Sequence, residues 1–261
     1  MFKNITKEKL KNGQAVWGAM VYDYSISALE IFGHLGFDWL LLDNEHGHIT
    51  TQVFPQCVQS CESSNITPIV RPIGNTPEII RPFLDLGAHG IQAPQVQTAE
   101  EAKIIVDSIK YPPVGKRGYF VANRNNKFGL GMSAPDYLNH GNQETLVCIM
   151  VETPQGIENA EEIAKVDGVD VVFVGHGDLS TAMGYPGQMT HPKVVEAGKK
   201  ALGKVLDAGK WAGCSCPEDQ TTMWLEFGVR YFHSSVNRLL ISGAKQYLDK
   251  VHEESNRLGL N

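Results

Sequence analysis

Short apolar runs punctuate this chain at regular intervals. Residues 15–20, 37–42, 67–70, 90–93, 148–151, 169–174, 211–214 and 230–234 each have strand length, and turn-forming residues flank them. The run 37–42 is apolar almost throughout, as a parallel strand buried on both faces requires. Between the runs, apolar residues return at helical spacing. The pattern predicts helices over 25–32, 52–63, 76–86, 98–109, 159–164, 191–207, 218–227 and 239–258. Several carry boundary signals: Ser25 as a cap, Pro77 in a first turn, Gly87 as a stop, and Thr98 with Glu101 as a capping box. Asn159 with Glu162 has the spacing of a second capping box. Strand–helix units in unbroken succession predict one (β/α)8 TIM barrel over residues 1–261, with no linker to divide it. The rhythm breaks over 111–144, rich in Gly, Asn and Pro, which predicts a long functional loop, a lid or an interface.

Charge and composition narrow the function without naming it. With 29 acidic and 23 basic residues the net charge is −6, which offers no basic face for nucleic acid. No apolar run approaches the roughly 18 residues of a membrane helix. The first residues, Met1 to Lys7, lack the apolar core of a signal peptide. The expectation is a cytoplasmic protein with neither nucleic-acid nor membrane partners. The 5 cysteines are odd in number and scattered, which predicts buried, reduced thiols. Cys214 and Cys216 have the spacing of a metal clip, but no His or Cys pair elsewhere matches it.

Candidate chemistry gathers where the strands end. Glu152 follows the fifth run, and Asp178 follows the sixth through Gly175, His176 and Gly177. In a parallel strand–helix–strand unit both acids fall at the C-terminal ends of neighbouring strands, where barrel active sites lie. Two converging carboxylates repel unless a cation sits between them, and oxygen donors suit Mg²⁺, Mn²⁺ or a similar ion. The plain alternative is a pair of loop acids. The second run ends in Asp43, Asn44, Glu45, His46, Gly47 and His48. An Asp43–His46 pair there would act as general base or orient a water; the alternative is a surface turn. Arg71 ends the third run, where its planar fork binds a carboxylate or a developing oxyanion, or forms a plain ion pair with Asp43 or Glu45. Gln92 ends the fourth and is a candidate ligand hydrogen bonder. The turn at Gly177 offers backbone N–H groups to an anion beside Asp178. The set asks for a small anionic substrate and a divalent metal, and suits proton abstraction beside a carbonyl with the metal holding an enolate. No lysine stands at a strand's C-terminal end for a Schiff base: Lys210 precedes its strand and Lys165 follows a helix.

Asp43–Asn44–Glu45–His46–Gly47, Val70–Arg71–Pro72, the stretch from Leu86 to Pro94, Val151–Glu152–Thr153 and the stretch from Gly175 to Ser180 together resemble the HpcH/HpaI aldolase family, in order, from about Trp17 to Leu240. The resemblance implies a phosphoenolpyruvate/pyruvate-type barrel and a divalent-metal (Mg, Mn or Co), class II pyruvate aldolase with no organic cofactor. Such an enzyme cleaves a 2-oxo-4-hydroxy acid to pyruvate and an aldehyde. It implies Glu152 and Asp178 as metal ligands, Arg71 at the enolate oxygen, and His46 with Asp43 at the proton of the aldol hydroxyl. It implies a homohexamer, a dimer of trimers, with the C-terminal helix exchanged between neighbours. The chain departs from the family pattern at Met150, where Gln is common, at His176 and Gly177, where Pro–Ala is common, and at Asn237, where Asp is usual. Met150 cannot donate a hydrogen bond to pyruvate, and His176 adds a titratable group beside Asp178. Competing expectations are oxaloacetate decarboxylation, a citrate-lyase-β-like CoA-ester lyase, and a silent 2-oxo-acid-binding homologue.

Overall fold

The computed structural model describes residues 2–215 and 217–260. Eight parallel strands close into a barrel in sequence order. They are β1 (Val16–Val21), β2 (Trp39–Asp43), β3 (Thr67–Arg71), β4 (Gly90–Ala93), β5 (Leu146–Val151), β6 (Val171–Val174), β7 (Trp211–Ser215) and β8 (Tyr231–Ser235). β8 closes the ring by pairing with β1.

Alternation along each strand divides the core in two. Leu40, Leu42, Val70, Ile149, Val151 and Val172 point outward and pack under the helices. Trp39, Leu41, Ile69, Cys148, Phe173 and Tyr231 point inward and fill the barrel. Trp39 stacks on Tyr231 with ring centroids 4.1 Å apart. It fits because β1 carries Gly18 at this height, where a Cβ would overlap the indole. The helix Ile5–Lys11, absent from the sequence pattern, closes the opposite end. Its Leu10 joins the interior cluster, and Lys7 pairs with Asp170 at 2.8 Å.

The predicted helices form, with revised ends. Thr98 and Glu101 make the capping box. Asn159 does not: its side chain donates to Gln97 O at 2.8 Å, and the helix Ala160–Ala164 follows closely on Pro154–Glu158, which Thr153 caps. The stretch 111–144 is not one loop. It holds a 3₁₀ segment, Arg124–Gly129, and a helix, Ala134–Glu144, capped by Ser133. His176 opens a short helix, His176–Ala182, instead of sitting in a turn. The last helix begins earlier than expected and runs Val236–Arg257 without one buried residue. Cys57, Cys61, Cys148 and Cys214 are buried. The Cys214–Cys216 pairing lies outside the described residues, because Cys216 is not among them. No helix among the described residues is long and apolar enough to cross a membrane.

Candidate active site

The inward positions turn polar at one end of the barrel. On β2 the inward series runs Trp39, Leu41, Asp43; on β3 it runs Ile69, Arg71; on β5 it runs Cys148, Met150 and then Glu152. The alternation that fills the core therefore also aims the chemistry. Asp43 and Arg71 are register partners.

Glu152 is 2 % exposed, and its Oε1 accepts a 2.8 Å hydrogen bond from the backbone N–H of Gln95. Gln95 holds a left-handed φ of 57°, unusual for a non-glycine residue. Its side-chain amide lies 3.5 Å from Asp178 Oδ2, so one residue touches both acids. Gln95 escaped the sequence analysis: it follows Pro94 past a strand end, and nothing local signals its turn. Gly175 makes room for Glu152, since a Cβ there would collide with the carboxylate. Burial pushes the Glu152 carboxyl up to about 7; the Gln95 N–H and Arg71 oppose this, while Asp178 and Glu45 add to it. A buried carboxylate facing further acids is short of positive charge, the condition a divalent cation relieves. The donors are oxygens, as Mg²⁺ or Mn²⁺ prefers. No cluster of three or more His, Cys, Asp or Glu poised for a metal occurs among the described residues.

Arg71 is clamped from behind. Its Nε and Nη2 donate to Asp43 Oδ1 and Oδ2 at 2.9 and 2.8 Å, and Nε lies 3.1 Å from Glu45 Oε2. Burial alone would lower the guanidinium pKa, yet the Asp43 and Glu45 carboxylates hold it above its ordinary value. Asp43 Oδ1 also accepts from the Glu45 backbone at 3.0 Å. The expected Asp43–His46 pair is therefore not formed: both Asp43 oxygens are committed to Arg71. The His46 side chain is 61 % exposed, and its Nε2 stands 3.8 Å from Glu45 Oε2. Burial raises the Glu45 carboxyl above its usual range, and Arg71 and His46 oppose that rise.

Arg71, Glu152, Gly177 and Asp178 line one cavity of about 310 Å³ at the barrel mouth. Three other candidates do not line it. Asp43 stands behind Arg71, and the exposed His46 is not among the lining residues. Gln92 lies below: it is fully buried, donates to Met150 Sδ at 3.2 Å, and accepts from Tyr231 Oη at 3.3 Å. Met150 intervenes between Gln92 and any ligand. His176 does line the cavity, but as a packed side chain. Its ring is tilted against Trp224 at 5.4 Å, and a Cβ on Gly198 would lie 2.6 Å from Nε2. Burial pushes its pKa down to about 4. His233, unnoticed in sequence, lines the floor.

The family model for HpcH/HpaI aldolase/citrate lyase matches residues 22–221. The chain belongs to this family. Within it, a pyruvate aldolase of Rhizobium etli is 39 % identical over 83 % of this chain and 84 % of its own length. A 4-hydroxy-2-oxo-heptane-1,7-dioate aldolase of Salmonella dublin is 34 % identical over 98 % of each chain. A family crystal structure from Burkholderia cenocepacia superposes with a TM-score of 0.88 at 28 % identity, over 95 % of this chain and 99 % of that one. As an HpcH/HpaI member the protein is a carbon–carbon lyase, and its eight-stranded barrel is the fold of its structural neighbours.

Proposed function

We propose that this HpcH/HpaI member is a class II pyruvate aldolase that cleaves a 2-oxo-4-hydroxy acid to pyruvate and an aldehyde. The observation that carries the reading is a buried, electron-rich acid, Glu152, sharing one cavity with a rigidly clamped Arg71. Glu152 and Asp178 would hold a divalent cation, Mg²⁺, Mn²⁺ or Co²⁺, which supplies Lewis-acid polarisation of the 2-oxo group. The rest falls to the chain's own groups. Asp43 fixes the Arg71 fork through Nε and Nη2, which would leave Nη1 for the oxygen on which negative charge develops as the C3–C4 bond breaks. The bonding pair passes to C3, the C4 hydroxyl surrenders its proton, and C4 leaves as the aldehyde. His46 takes that proton through water, with Glu45 instead of Asp43 as its acidic neighbour. A proton delivered to C3 completes pyruvate. The backbone N–H groups at Gly177 would meet the substrate's carboxylate end, beside the cation that Asp178 would hold.

Buried thiols suit the reducing cytoplasm, where we place the enzyme. The whole chain forms one barrel unit whose last helix is offered to a neighbour: Leu240, Ile241, Tyr247 and Leu248 on Val236–Arg257 are exposed. Large apolar side chains left exposed on this helix support exchange within a homohexamer. The activity test is a panel of aldehydes with pyruvate and Mn²⁺, Mg²⁺ or Co²⁺, analysed for carbon–carbon bond formation. Absence of any adduct across the panel sinks the aldolase reading. Sedimentation analysis of the chain truncated before Val236 tests the assembly, which should lose its oligomer.

A further inference from the structure

His233 is the polar side chain on the cavity floor that the chemistry above leaves unused. It sits on β8, three strands from Arg71 on β3 and three from β5, which Glu152 directly follows, and so faces a substrate held between them. Its ring lies flat on Phe173, 4.7 Å between centroids and 3° from parallel, with the Trp39 indole edge-on at 5.8 Å. Its register partner on β7 is Ser215, which lines the same cavity. On β1 the partner is Gly18, which adds no side chain. The ring is only 8 % exposed, and neither nitrogen makes a hydrogen bond of good geometry with the described residues. Burial pushes its pKa down to about 3, with Arg71 adding to the shift; the Ser234 backbone and Asp43 oppose it. The imidazole is neutral at physiological pH.

We propose that His233 is a specificity-determining residue whose imidazole hydrogen-bonds an uncharged hydroxyl of the substrate. A neutral imidazole offers one donor and one acceptor. A carboxylate or carbonyl oxygen can satisfy only the donor, whereas a hydroxyl satisfies either. The stack on Phe173 and the edge-on Trp39 keep the ring from turning away. A buried polar group left unpaired by a substrate lacking that hydroxyl penalises the substrate. The hydroxyl belongs either to the carbon next to the 2-oxo group of the donor or to the carbon next to the aldehyde.

This inference rests on the aldolase reading, and the experiment separates the two. Donors are hydroxypyruvate and 2-oxobutyrate; acceptors are glycolaldehyde and propanal. Each pair exchanges a hydroxyl for a methyl. Relative kcat/KM within each pair is measured with saturating Mn²⁺ for the wild type and for His233→Phe, which keeps the aromatic clamp and removes both nitrogens. The hydroxyl-to-methyl ratio should fall about tenfold in one pair, the worth of a single neutral hydrogen bond, and stay unchanged in the other. The pair that responds names the source of the hydroxyl. His233→Gln, which retains a donor and an acceptor, should recover part of the ratio. If His233→Phe fails to fold, His233→Leu takes its place. Ratios within twofold of the wild type in both pairs reduce His233 to packing and overturn the proposal. Should the wild type join no pair at all, the aldolase reading fails, and calorimetric binding of hydroxypyruvate against 2-oxobutyrate and of glycolaldehyde against propanal, to wild type and His233→Phe, still decides the role of His233.

Discussion

Asp43 and Glu152 occupy equivalent places in the barrel: each is a buried acid facing inward at the mouth end of a strand. Their surroundings differ. Both Asp43 oxygens receive the Arg71 fork, so its charge is met within the chain. Glu152 receives one backbone N–H, from Gln95, and faces Asp178 and Glu45 besides. One acid is spent on holding a neighbour, and the other is held ready for something the chain does not supply. Burial alone does not identify a ligand; the count of internal partners does.

The largest effect should come from Glu152. Glu152→Ala or Asp178→Ala should abolish Mn²⁺ binding by calorimetry and lower aldol turnover by about 10³ or more, while circular dichroism keeps the barrel signature. Asp43→Asn should leave Mn²⁺ binding in place. If Asp43→Asn removes the metal as well, the contrast between the two acids collapses.

Next is the clamp itself. Arg71→Lys keeps a charge and loses the planar fork. Aldol cleavage, oxaloacetate decarboxylation and exchange of pyruvate methyl protons with D₂O should all drop together, by about 10²–10³. Sparing of decarboxylation alone would place Arg71 away from the enolate oxygen.

His46 should divide these reactions. His46→Ala is expected to slow aldol cleavage by about 10², at the low end for a lost acid–base group, given its exposed position. Decarboxylation, which moves no aldol hydroxyl proton, should be nearly unaffected. An equal loss in both reactions would reassign the residue.

The last effect is on stability and leaves the rates untouched. In metal-free protein the Glu152 carboxyl, raised from 4.5 to about 7, keeps a proton that the unfolded chain has already released. Folding stability is thus full below pH 4.5 and declines as pH rises toward about 7, by on the order of 3 kcal/mol. Urea titrations across that window should show the decline. Glu152→Gln should flatten it, and so should Mn²⁺, which binds the ionised form.

Most of the barrel was legible because its strands are buried on both faces and read as plain apolar runs. The helix Ala134–Glu144 was not. Only Tyr137 and Gly141 of its residues are buried, so no apolar stripe marks it. At the site, Arg71, Glu152 and Asp178 could be placed from strand ends alone. The partner of Asp43 stayed open: local spacing favours His46, an ion pair with Arg71 is the alternative, and the register with β3 delivers Arg71 from 28 residues away. Gln92 was misjudged for a similar reason. It stands at a strand end in sequence, yet Met150 on the next strand reaches over it. Gln95 depends on a backbone angle, and the isolation of His233 on an aromatic clamp, neither of which a linear pattern records.

The packed interior has a kinetic corollary. Trp39, Leu41, Ile69, Cys148 and Phe173 leave no passage through the barrel, and Leu10 joins them at the far end. The cavity is a blind pit with one opening. Both reactants must use the same door, so whichever lies deeper has to arrive first and depart last. On the proposed reading the 2-oxo acid, held against Glu152 and Arg71, is the deeper one in the condensation direction. Steady-state kinetics should then follow a compulsory order: the aldehyde binds second, and excess aldehyde traps no dead-end complex beneath it.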